Sequence, residues 1–260
     1  MLREEVPTIR LDGRPQVSKV PEKISGDFWI INLLTTAMGE ALSDFLVHHM
    51  NPYAAVVNGA VVFAASLLVQ VKAKGYTAPV YWFAVAMVAV FGTMAANATH
   101  VALDVPYLYS SAARAVLLGA VLLGWWAAEG TLSIHSIIPK RRELFYWATV
   151  LTTFALGTAA AAARHLGALV SGMVFGALFA IPGILYFHLR LHAILAFWTA
   201  YLLTRPLGAS FADWLGTPAR IGGLGYGHGP VAGILVSAIV VMVGYITVAR
   251  PDVKGPASQS

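Results

Sequence analysis

The chain of 260 residues is 58% apolar and 11% charged, with a mean hydropathy of +0.71, against roughly 45–50% apolar and about 25% charged in soluble domains. That balance excludes an ordinary soluble domain and points to an all-α integral membrane protein. The absence of cysteine excludes a disulfide framework, a thiolate metal site, an iron–sulfur cluster and a cysteine nucleophile. A formal charge of +5 does not signal a nucleic-acid partner, because the basic residues lie between apolar runs rather than in a patch.

In chain order, residues 1–27 are polar, carry prolines and hold ten of the 29 charged residues, so they read as a flexible cytoplasmic tail. A crossing helix takes about 20 mainly apolar residues. Eight windows qualify: 28–48, 53–71, 80–103, 107–128, 144–166, 168–188, 192–215 and 229–249. Together they make a membrane domain over 28–250, with 251–260 as a C-terminal tail. Of the Lys and Arg residues in the loops and span ends, thirteen fall on the side of the two tails and three, Arg114, Arg164 and Arg220, towards the other. The excess of basic residues marks the cytoplasmic side, so both termini are predicted cytoplasmic and the protein multi-pass in a bacterial inner membrane. The segment EGTLSIHSIIPKRRE between spans four and five reads as a solvated linker. The glycine-rich GTPARIGGLGYGHG before the last span reads as a mobile loop and a candidate mouth.

The odd spans share a register. Trp29, Trp82, Trp147 and Trp198 each follow an aromatic residue, and Gly39, Gly92, Gly157 and Gly208 each fall ten positions after the tryptophan. The unit is two helices, repeated over about 28–75, 80–130, 144–190 and 192–250. Because each unit adds two crossings, the four are parallel and related by a pseudo-symmetry axis along the membrane normal. The tryptophans suit interface anchoring and the glycines close helix contact.

These spacings, with the strings LLTTAMGEALSDFLV, MVAVFGTMAA, EGTLSIHSI, FYWATVLTTFALGTAA and LTRPLGASFADWLG, resemble a bacterial family of uncharacterised membrane-anchored proteins. That resemblance implies four tandem repeats of unknown function, each with two transmembrane segments. It also implies an acidic residue five positions after the repeat glycine. Asp44 and Asp213 fit that pattern, whereas Asn97 and Ala162 depart from it.

Positions three before, one after and five after each glycine are four apart and share one helical face. The layers are Thr36, Ala89, Phe154 and Arg205; then Glu40, Thr93, Thr158 and Ala209; then Asp44, Asn97, Ala162 and Asp213. One turn further come His100 and His165. Charges inside a span cost about 2.5–3.5 kcal/mol each, so Glu40, Asp44, Arg205 and Asp213 are expected to face the bundle interior. There Glu40, Asp44, Asn97, Arg205, Asp213, Thr93 and Thr158 form a polar track of net charge two negative, suited to a cation. Asp44, Asp213, His100 and His165 offer oxygen and imidazole ligands for a divalent metal carried as substrate, and closely placed carboxylates would share and exchange a proton. Arg205 reads either as a structural counter-ion of Asp213 or Glu40 or as their switchable partner, and Pro206 beside it as a break that bares carbonyls to the track. No HExxH, nucleophile elbow or phosphate loop is present, so no enzyme activity and no resident cofactor are expected. The resulting expectation is a secondary transporter in the lipid bilayer, a proton-coupled exporter of a divalent metal or other cation. The alternatives are a receptor, sensor or assembly factor without transport, or a channel.

Overall fold

A computed structural model describes residues 18–103, 107–134, 137, 140–157 and 167–253. The described chain forms eight long helices: α1 Gly26–His49, α2 Pro52–Lys72, α3 Ala78–Leu103, α4 Tyr107–Glu129, α5 Lys140–Gly157, α6 Ala168–Leu189, α7 Ala193–Gly216 and α8 His228–Ala249, with a 3-10 turn at Ala219–Ile221. Each answers one of the eight apolar windows. Six of them, all but α5 and α7, are long and apolar enough to cross a membrane. The described part of α5 opens on the charged turn KRRE, and α7 carries Arg205 and Asp213. Local signals set the ends. Asn51 caps α2 by accepting from the amides of Tyr53 and Ala54 at 3.0 and 3.3 Å, with Pro52 in the first turn, where its missing N–H is harmless.

The odd helices form the inside. α1 packs on α3, α3 on α5, α5 on α7, and α7 closes back on α1. Each even helix packs most extensively on the odd helix of the following repeat: α2 on α3, α4 on α5, α6 on α7 and α8 on α1. The odd and even helices of one repeat are therefore not the packing unit. Even helices turn large apolar side chains outward, among them Val61, Val116, Phe187, Ile234 and Val241, as a lipid-facing surface would.

One contact recurs at all four interfaces between successive odd helices. The first aromatic of a repeat meets the tryptophan of the next, with ring centroids 5.5 Å apart for Phe28 and Trp82, 5.9 Å for Tyr81 and Trp147, 6.4 Å for Tyr146 and Trp198, and 5.7 Å for Phe197 and Trp29. A second contact recurs one layer in. A Cβ on Gly39 would lie 2.6 Å from Cβ of Ala89, one on Gly92 2.6 Å from Cβ of Phe154, and one on Gly208 2.8 Å from Cβ of Thr36. Each neighbour stands three residues before the next repeat's glycine. The glycines are thus close-contact positions, and the surroundings of Gly157 lie outside the described side chains.

The aromatic end of the bundle is closed. Residues 18–25, part of the stretch read as a tail, lie across it. Val20 is buried in the core, Lys19 Nζ donates to the Val71 carbonyl at 2.7 Å and to Glu143 Oε2 at 2.8 Å, and Gln70 donates to the Lys19 carbonyl at 3.0 Å. The other terminus joins in. The Asp252 carbonyl accepts from the amides of Glu22 and Lys23 at 3.1 Å, and the Tyr76 hydroxyl donates to the Asp252 carboxylate. Burial and that carboxylate push the Tyr76 phenol well above its usual range, so it stays a donor. The linker differs from expectation. Ile134 and Ile137 are buried and the Leu132 carbonyl accepts from Trp198 Nε1 at 3.0 Å, because these two apolar side chains cover the end of the ring rather than face water.

Candidate functional site

Gly208 lets α7 approach α1 to the point where only a hydrogen fits between them. That contact aligns the faces of α1 and α7 and brings their polar residues together in two layers.

The inner layer is built on Arg205, 1% exposed. Its Nη1 donates to Thr36 Oγ1 at 2.6 Å and its Nη2 to Asn32 Oδ1 at 3.4 Å. Its Cζ lies 3.8 Å from the ring centre of Phe154 on α5 and 4.5 Å from that of Tyr201, within cation–π range. Asn32 donates in turn to Thr204 Oγ1 at 3.2 Å. The expectation that Arg205 pairs with Asp213 or Glu40 is not met. No carboxylate lies within ion-pair distance of it among the described residues. The physical reason is register: Asp213 stands eight residues further along α7, about 12 Å of helix rise, and Thr36 rather than Glu40 is level with the guanidinium. Pro206 does not break the helix, since α7 runs unbroken from Ala193 to Gly216.

The outer layer is acidic. Glu40 and Asp44 of α1 and Asp213 of α7, all half-buried, offer oxygen atoms within 4.8 Å of one another. Asp44 Oδ2 also lies 3.9 Å from Nδ1 of His228. His228 was not among the sequence-derived candidates, and nothing in a single sequence ties the last loop to α1. The link comes from that loop. Read as mobile, it folds back along the end of α7, with the amides of Leu224, Tyr226 and Gly227 donating to the carbonyls of Trp214, Leu215 and Gly216 at 2.7, 3.1 and 3.2 Å. Glycines at positive φ, Gly222, Gly225 and Gly227, make the reversal feasible. His48 and His49 at the end of α1 bond the carbonyls of Asp44 and Phe45 at 2.7 and 2.8 Å.

The remaining candidates are placed less closely. Thr93 is buried and Asn97 half-buried on α3, and neither hydrogen-bonds the acidic group among the described residues. Thr158 and His165 lie outside the described residues. His100 belongs to α3, and its side chain is outside the described set.

Two stretches of the chain match the model of the family described as Repeat of Unknown Function (DUF347), residues 80–131 and 196–251. No curated protein and no solved structure matches the chain significantly. Both matches begin two residues before a repeat tryptophan, Trp82 or Trp198, so they share the register that the glycine contacts follow. They span α3 with α4 and α7 with α8. The chain is thus a helical protein with apolar, membrane-type helices that carries two DUF347 repeats, a repeat family of unknown function.

Proposed function

We propose that all eight helices cross the bacterial inner membrane as four parallel two-helix repeats around a pseudo-symmetry axis, and that the protein is a secondary carrier for a cation. The observation that carries this reading is the convergence of Glu40, Asp44 and Asp213 from two adjacent inner helices, with His228 beside Asp44. Ionisable groups inside a membrane are costly and mark ion pathways. Carboxylate and imidazole ligands suit a divalent transition metal such as Mn²⁺ or Zn²⁺, and three acids this close favour either a bound cation or a retained proton, the exchange a proton-coupled carrier uses. His228 takes the imidazole place assigned from sequence to His100 and His165. The closed aromatic end argues against a standing channel, since Arg205 and Phe154 fill the ring between that end and the acids.

The test is Mn²⁺ movement in proteoliposomes under an imposed pH gradient, with wild type beside Asp44→Asn and Asp213→Asn. Each variant keeps the side chain's size but removes the ionisable oxygen, so flux is expected to fall at least about tenfold, a loss of about 1.4 kcal/mol in transition-state stabilisation, while folded protein is recovered as for wild type. Unchanged flux in both variants, or none in wild type for any divalent metal or for protons, would replace the carrier with a receptor or assembly factor.

A second expectation concerns orientation: the acidic layer faces the periplasm and both termini the cytoplasm, from the thirteen-to-three distribution of basic residues. Reporter fusions after Lys74 should behave as cytoplasmic and fusions after Arg220 as periplasmic. The reverse result would put the acidic layer on the cytoplasmic side.

A further inference from the structure

Arg205 is a charge buried to 1% exposure within the bundle, and the acidic site does not use it. From α7 it reaches both neighbouring inner helices, bonding Thr36 and Asn32 on α1 and lying over Phe154 on α5. The fourth member of the same layer, on α3, is the small Ala89. The guanidinium therefore occupies the space the four inner helices enclose, about one helical turn inward of Glu40. Among the described residues no counter-charge lies within ion-pair distance of it. Its acceptors Thr36 and Asn32 are neutral, and among the described residues its Nε has no hydrogen-bond partner. A buried cation held only by neutral groups is expensive, and an apolar side chain of similar volume would fill the same space without that cost.

We infer that Arg205 is a specificity-determining residue: a fixed positive charge across the ring that stops protons and metal cations from leaking past the acidic site toward the aromatic end. This rests on the carrier reading and deepens it, because a carrier must deny its ion a passive route. A guanidinium fixed in a narrow path excludes cations by repulsion and excludes protons by orienting the groups around it. Thr36 holds it from one side. Phe154 and Tyr201 hold it from the other, each attracting the charge by its ring face. The residue after it, Pro206, deprives the Leu202 carbonyl of its usual helical donor, which makes this turn of α7 the one that yields most easily when the barrier must move.

The test is passive proton leak in proteoliposomes holding a pH-sensitive dye, driven by a potassium diffusion potential set with valinomycin and without divalent metal. Relative to wild type, Arg205→Gln should raise the leak at least about tenfold, whereas Arg205→Lys, which keeps the charge, should stay within about twofold. Folded Arg205→Gln protein that leaks like wild type overturns the inference, and so does an Arg205→Lys variant as leaky as Arg205→Gln, since packing rather than charge would then be the barrier. Should Arg205→Gln fail to fold, Thr36→Val removes the 2.6 Å acceptor and should still raise the leak about threefold or more. A wild-type leak rate there also overturns it. The carrier reading fails separately, by absent Mn²⁺ exchange in wild type, a measurement this assay does not include.

Discussion

Gly39→Val is expected to cost the fold about 3 kcal/mol, and to lower the thermal midpoint in detergent by about 2–4 °C for each kcal/mol lost. The glycine faces the backbone of the next repeat, not a flexible side chain. A Cβ there would lie 2.6 Å from Cβ of Ala89 and 2.8 Å from its carbonyl carbon, and neither atom can rotate away. Relief requires α1 and α3 to separate, which opens the aromatic contact between Phe28 and Trp82 as well. Gly39→Ala sets two effects against each other: overpacking of about 1–3 kcal/mol and a helix-propensity gain of about 1 kcal/mol. The net should still be a loss. Gly119→Ala and Gly244→Ala are the controls, because a Cβ at either meets nothing within 4 Å, and both should be neutral or slightly stabilising. Equal midpoints for Gly39→Val and the controls would show that the repeat glycine is not a contact position.

Lys19→Met should have the second large effect, and a local one. Glu143 is 1% exposed and its described partner is Lys19, at 2.8 Å. Removing one member of a buried ion pair costs about 3–5 kcal/mol, because the remaining charge is left in a low-dielectric site. Here the fold has a cheaper response: residues 18–25 can lift off and admit water to Glu143, so the cost is capped by the stability of that strap. The expected result is therefore faster hydrogen exchange at the amides of Tyr76 and Lys23, which bond Ser18 and Asp252, with little change in global unfolding. Adding Glu143→Gln to Lys19→Met leaves no buried charge and should restore most of the protection. If the double variant exchanges as fast as Lys19→Met alone, the ion pair is not what holds the strap.

Much of this architecture is legible in the sequence, because apolar patterning acts on every helix separately. A run of about 20 apolar residues meets its own backbone's hydrogen-bonding demand as a helix, and each of the eight runs holds a helix among the described residues. The repeat register was equally legible. An aromatic–Trp pair followed by a glycine at fixed spacing is a local pattern, and its members occupy equivalent contacts wherever the structure describes them. Glu40 and Asp44 lie together as their four-residue spacing on one helix requires, and Asp213 joins them from α7.

What the sequence left open depends on which helix lies beside which, and at what height. Charge counting pairs Arg205 with an acid. The close approach at Gly208 instead sets it level with Thr36 and Asn32, a turn away from Glu40. The two-helix repeat pairs each even helix with the odd helix before it, yet each packs mainly on the odd helix of the following repeat, α8 on α1 included. Composition makes the last loop mobile and the central linker solvated, whereas the one is hydrogen-bonded to the end of α7 and the other buries Ile134 and Ile137 against the end of the ring. His228 enters the site only through that folded loop. Periodicity and burial cost act within one helix and can be read along the chain; register between helices, and the loops that follow from it, are set by contacts between residues far apart in sequence, and these the tertiary structure alone decided.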